Sequence, residues 1–232
     1  FLRWLILGAE GAARGPHEKG VQVQGAVIES DGPAGAGTRG LSLEGCRVDW
    51  DISLHRCRFE GDPWFDGARL AGLSLDGSWV PGLDADGLET RGGLHLSDGF
   101  ESDGKIRLLG ARIGGNLVCE GAKLRNADGE ALNTNGARVE GSLILRAGAQ
   151  VEGVVDLIGS EIAAMNDDPA CWPARLRLDR CVYGAFVGNW EANAGDRIAW
   201  LDRHDPAMGF RAQPWEQCAK VLREMGHPED AR

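Results

Sequence analysis

The ten residues IRLLGARIGG, Ile106–Gly115, decide the fold. Ile106 and Leu108 alternate with Arg107, which puts both apolar side chains on one face of a short strand. Gly110 supplies a corner, because without a Cβ it adopts positive φ at little cost. Ala111 and Ile113 form a second inward pair beyond that corner. The phrase then returns as Leu117/Cys119 and Ala122/Leu124, and again as Leu132/Thr134, Ala137/Val139, Leu143/Leu145, Val155/Leu157 and Ser160/Ile162. Weaker copies run back through LSLDGSWVPG (Leu73–Gly82) and LSLEGCRV (Leu41–Val48) to VQVQGAVI (Val21–Ile28). A short unit at near-constant spacing, with glycine at its corners, specifies a stacked solenoid.

Between the inward pairs stand Arg107, Arg112, Glu120, Lys123, Arg138 and Glu140, which the alternation turns to solvent. No helical pattern of 10–15 residues separates the strands, so a doubly wound α/β sheet is excluded. The pattern predicts an all-β solenoid, a parallel β-helix with loop insertions, right-handed by the rule for parallel crossovers. Two units per coil give roughly 22–26 residues per turn, and about six coils over Val21–Ile162 make a rod about 30 Å long. Small residues (Ala111, Ala122, Ala137, Ser160) recur at one level, as a narrow interior requires.

Insertions fall at Glu29–Gly40, Arg125–Glu130 and Met165–Ala174, and Arg175–Gly184 reads as a last, irregular coil. An open β-helix end exposes unpaired backbone and apolar rungs, so each end needs a cover. FLRWLILGA supplies one. At the other end, Ile198, Leu201 and Trp200 make a helical stripe in DRIAWLDRH (Asp196–His204). QPWEQCAKVLREMG is a clearer helix, with Pro214 in its first turn, Gly226 past its end and an apolar face of Trp215, Cys218, Ala219, Leu222 and Met225. PEDAR, after His227-Pro228, reads as the start of another. The expected organisation is an N-terminal cap (residues 1–20), a parallel β-helix (21–187) and a helical C-terminal cap (188–232).

Composition narrows the function. The 232 residues include 35 glycines but only nine prolines, and 43% are apolar, which fits a folded chain rather than a disordered one. A net charge of −10 repels phosphate backbones, so direct nucleic-acid binding is not expected. Cys46, Cys57, Cys119, Cys171, Cys181 and Cys218 lack paired close spacing, and read as small buried hydrophobes in a reducing compartment, the cytoplasm. No apolar run reaches a membrane-spanning length. The chain reads as the soluble part of a longer protein, with any anchor outside it.

The GAKL, GARI and GARV steps resemble those of pentapeptide-repeat proteins, whose five-residue steps make a four-sided right-handed β-helix, although extra residues break the count here. A closer resemblance is to a bacterial family of β-helix proteins with LRxLLLG near the start, GAxIxGxLxCxGAxL in the middle and PQPYEQLAxVLRxxGHxxEAR near the end. The corresponding stretches are LRWLILG (Leu2–Gly8), GARIGGNLVCEGAKL (Gly110–Leu124) and AQPWEQCAKVLREMGHPEDAR (Ala212–Arg232). Some relatives carry the labels membrane-associated or oxidoreductase. The resemblance implies the fold and assigns no catalytic residue.

The chemistry can be tested motif by motif. GAGTRG (Gly35–Gly40) satisfies G-x-G-x-x-G, but the strand-period LSLEGCRV follows it where a phosphate-binding helix would have to start. Asp84, Asp86 and Glu89 fall short of a calcium loop and read as turn chemistry. His17, His55, His95, His204 and His227 show no metal spacing and none sits near an obvious nucleophile. No cofactor or metal is expected. Trp50, Trp64 and Trp79 flank the repeats as candidate partner-binding residues, since aromatic side chains anchor interfaces. Trp172, Trp190, Trp200 and Trp215 read as filler between β-helix and cap. The leading expectation is a non-enzymatic scaffold or sensor module that binds a protein, with the β-helix ends open to homodimer formation. Its rivals are an acidic DNA mimic acting on a DNA-binding protein such as a type II topoisomerase, and a carbohydrate-active β-helix enzyme.

Overall fold

The inward pairs stack into ladders. One ladder runs Val48, Leu70, Thr90, Ile113, Val139, Ile162 and Tyr183, and the next runs Val21, Ile52, Leu73, Leu94, Leu117, Leu143, Met165 and Phe186. Every pairing is parallel, and every one of these side chains is buried. Together they form sheet 1, of ten strands; two further ladders form sheet 2, of eleven. The chain is therefore a parallel β-solenoid of about seven turns, its longest ladder counting eight levels, and each coil has four faces. This computed structural model describes residues 1–8, 19–30, 35–188 and 194–231. His17 and Trp190 lie outside the described residues.

Coil length is uneven. Leu70 to Thr90 is 20 residues, Ile113 to Val139 is 26 and Val21 to Ile52 is 31. The 26-residue coil holds the Arg125–Glu130 insertion, a bulge inside strand Lys123–Asn133 that breaks register opposite Glu152 and Val154. The stretch Gly35–Ser42, which contains the glycine-rich motif, is a strand beside Gly61–Trp64, and the next element is strand Arg47–His55.

Corners follow the same rule at each level. Gly110 has φ +63, and Gly67, Gly87, Gly136 and Gly159 repeat it in the same column. Among the described residues four corners lack glycine: Arg56, Asp98, Ala147 and Arg180 take φ between 50 and 56. The left-handed region costs an L-residue roughly 1–2 kcal/mol, part of which is offset by the looser unfolded chain of glycine. Ala147→Gly is therefore expected to stabilise the fold by roughly 0.5–1 kcal/mol, read as a higher urea midpoint.

Both ends carry helices. Helix α1 (Leu2–Leu7) buries Ile6, and Arg3 Nε donates to the Ser42 carbonyl at 2.9 Å. At the far end sit α2 (Ala194–Leu201) and α3 (Gln213–Glu224). Here α3 covers the last strand, Val182–Val187, by bonding its backbone. The Gln217 amide donates to the Tyr183 carbonyl at 2.7 Å, Gln213 donates to the Cys181 carbonyl at 3.0 Å, and the Arg180 N–H donates to Gln213 at 2.8 Å. Groups that an open edge would leave bare are thus taken up by one helix.

Helix α2 buries Trp200 and Leu201 of its expected stripe but not Ile198. Ile198, predicted inward, is 48% exposed, whereas Arg197 is 1% exposed. The Arg197 guanidinium makes a two-pronged pair with the buried Asp167, both bonds 2.8 Å, and lies 3.6 Å over the Phe186 ring. Trp172 Nε1 also donates to Asp167, at 2.7 Å. A carboxylate and aromatic rings outweigh one isoleucine in setting the helix's orientation. Residues 228–230, predicted to start a helix, form turns.

Candidate functional site

Sheet 1 carries two grooves on its outer surface. The first follows the outward partners of the Val48–Tyr183 ladder. In register these are Arg47, Arg69, Glu89, Arg112, Arg138 and Glu161. Glu89 accepts from Arg69 Nε on one side and from Arg112 Nη1 on the other, both at 3.1 Å. At the two ends Arg47 donates to Asp49 (3.2 Å), and Arg138 donates to Glu140 (2.7 Å) and Glu161 (3.0 Å). Arg91 lies alongside and donates to the Asp49 carbonyl at 2.6 Å. The groove has a volume of about 330 Å³. Its arginine side chains are 56–71% exposed, and each uses only one or two of its five N–H donors. Five arginines against four carboxylates leave the strip at +1 on a chain of net charge −10.

The second groove, about 410 Å³, lies over the neighbouring ladder and is lined by Asp51, His55, Ser74, Asp76 and His95. Gly93 clears space for His95, since a Cβ there would meet the imidazole Nε2 at 2.8 Å. Contrary to the sequence reading, a histidine does sit beside a hydroxyl: His55 Nε2 is 2.8 Å from Ser74 Oγ. The order of the three groups is wrong for an activated nucleophile, however. Ser74 Oγ donates to Asp76 at 2.7 Å, so His55 Nε2–H donates to Ser74 and takes no proton from it. Burial would raise the Asp76 carboxyl, but hydrogen bonds from Ser97 and Ser74 outweigh it and hold it below its ordinary 3.8, which makes it a weak base. The arrangement holds polar ligand groups; it does not arm a serine.

That depressed value has a consequence for stability. A carboxylate lowered on folding contributes its stabilisation above the unfolded value and loses it as pH falls through the folded one. Asp76→Asn is expected to lower the melting temperature at pH 7, with the gap to wild type closing below pH 3.8. An equal gap at both pH values would show that the charge is not what Ser74 and Ser97 hold.

On sheet 2 the carboxyls of Asp62, Asp66 and Asp84 are pushed up by burial, helped at Asp66 and Asp84 by neighbouring carboxylates. Arg107 answers them by pairing with Asp86 and with Asp84 (3.4 Å). Burial also pushes Cys119 and Cys181 up to about 12, so both thiols are inert. Among the described residues no group of three or more His, Cys, Asp or Glu could hold a metal ion.

The three tryptophans singled out by sequence do not share a ladder. Trp50 lies on sheet 1, part-buried against the core. Trp64 and Trp79 lie on different ladders of sheet 2. Each is stacked under an arginine, Arg39 at 3.9 Å and Arg58 at 4.1 Å, and Trp79 donates to Asp103 at 3.0 Å. The arginine strip was the residue set that sequence reading missed. Its signal is present in the triplets CRV, ARL, LET, ARI, ARV and SEI, which begin at residues 46, 68, 88, 111, 137 and 160. Comparison with protein-family models gives no match, and comparison with curated proteins gives none either.

Proposed function

We propose that this chain is a non-enzymatic β-helix scaffold or sensor module that engages a protein partner through the outer face of sheet 1. The observation that supports this reading is the in-register arginine strip with its unused N–H donors, whose charge opposes that of the whole chain. Arginine forks suit carboxylates, and an exposed guanidinium in a groove is an interface group. The serine–histidine contact, with its proton directed to a weak base, gives no support to hydrolysis. Arginines outnumber glutamates along this ladder, so the outer face of sheet 1 does not offer the continuous acidic surface that mimicry of duplex DNA needs. No helix among the described residues is long and apolar enough to cross a membrane. Six unpaired cysteines, five of them buried, agree with a reducing cytoplasm.

The test is a paired affinity capture from bacterial lysate with the wild type and Arg69→Glu/Arg112→Glu. A stoichiometric protein held by the wild type and lost by the variant supports the reading. Equal capture by both, or a turnover abolished by one point substitution, refutes it.

A further inference from the structure

Over its first five levels the strip is symmetric in charge, with two arginines (Arg47, Arg69), then Glu89, then two arginines (Arg112, Arg138), and Glu161 follows at the sixth. Neighbouring levels of a parallel sheet lie about 4.8 Å apart, so the two arginines of each pair are near enough to approach one anionic group with the N–H donors that Asp49, Glu89, Glu140 and Glu161 leave unused. The centres of the two pairs are three levels apart, about 14 Å. An extended peptide advances about 3.4 Å per residue and returns its side chains to the same face every second residue. Residues i and i+4 of such a peptide therefore share a face and stand about 13–14 Å apart, which matches the two pairs. The residue between them on that face, i+2, meets Glu89, whose carboxylate repels an acid and accepts from a cation.

We infer that the strip binds an extended acidic peptide laid along the solenoid axis, with Asp or Glu at i and i+4 and a basic residue at i+2. This rests on the reading of sheet 1 as a partner face and names the partner's docking chemistry. Charge complementarity selects the occupant. A densely charged polyanion such as a nucleic acid would place phosphates against Asp49, Glu89 and Glu140 and would meet the −10 of the whole molecule. A peptide with two separated acids and a central lysine sets each acid against an arginine pair and the lysine against Glu89, and carries far less charge past Asp49 and Glu140 than a polyanion does. Exposed guanidinia in this number favour carboxylate capture over apolar docking.

The experiment uses three fluorescent peptides on the full chain at low salt: acids at i and i+4 around a central lysine, the same composition with acids at i and i+3, and a version with a third acid at i+2. The first is expected to bind at least tenfold tighter than either of the others. Glu89→Lys is expected to reverse the choice, so that the three-acid peptide becomes the tighter ligand. Arg69→Gln and Arg112→Gln, which remove charge without adding repulsion, should each weaken the first peptide several-fold while leaving the far-ultraviolet dichroism unchanged. Equal binding of all three peptides by the wild type, or an unchanged preference in Glu89→Lys, overturns the assignment. If a captured partner is released by Arg69→Glu/Arg112→Glu but not competed by any peptide, the acidic-peptide assignment falls and the partner face stands. If the partner stays bound to that variant, both fall.

Discussion

Arg197→Ala will cost the C-terminal end of this protein roughly 3–5 kcal/mol, the usual penalty for stripping the partner from a buried charge. Asp167 is 3% exposed and holds two guanidinium bonds of 2.8 Å plus one from the Trp172 indole. Without Arg197 that carboxylate stays buried with its main countercharge gone. The guanidinium also fills the space over Phe186 and near Trp200 (5.5 Å), so packing is lost with the charge. Solenoid stability is a sum of neighbour terms, so the loss should appear locally, as α2 leaving the last coils. Trp172 and Trp200 report it: their emission should shift to the red at a lower urea concentration than the loss of sheet signal. Arg197→Met with Asp167→Leu should recover part of the loss, because an apolar pair of similar volume carries no desolvation cost, while Trp172 Nε1 gives up its 2.7 Å bond to Asp167. If the single substitution leaves the two transitions coincident and unmoved, the pair does not clamp the cap.

Phe100→Ala is expected to cost about 3–5 kcal/mol, as for other large aromatic truncations in cores. Phe100 is fully buried and sits at the level where other coils place small residues. Its neighbours above and below are Ser78 and Ala122, set by the pairing of Glu101 with Trp79 and Lys123. Both are too short to collapse into the vacated volume, and the backbone ladders hold the coil spacing fixed, so the cavity stays open. Phe100→Leu should cost much less, because it retains most of the volume. The check is a pair of urea melts. A loss below 1 kcal/mol for alanine would mean that the coils close on the gap.

The sequence made the interior legible where the repeat was pure. Ile106/Leu108 and Ala111/Ile113 are buried as the alternation and Gly110 require. Phe100 and Leu88 were not legible as members of the small-residue columns, because they break the size rule and are accommodated only by smaller neighbours in adjacent coils. Arg56, Asp98, Ala147 and Arg180 hide corners, since each adopts a left-handed φ without the glycine that marks one. The stripe of α2 placed Trp200 and Leu201 inward correctly, but not the exchange of Ile198 for Arg197. That exchange depends on Asp167, 30 residues away, which draws in Arg197 and turns Ile198 out. The arginine strip escaped for a different reason. Its members are each plain on the chain, and unequal coils of 20 to 26 residues hide the fact that Arg69, Glu89, Arg112 and Arg138 stack. Pairing register, not composition, makes them one surface.

Arginine footprinting tests the central claim most directly. The chain is treated with phenylglyoxal, alone and with its captured partner, and modification is read residue by residue by mass spectrometry. Arg69 and Arg112 should be strongly protected by the partner, Arg47 and Arg138 less so, and the exposed Arg180 at the capped end not at all. Protection at Arg180 or on sheet 2, with the strip modified as fast as in the free protein, would contradict it.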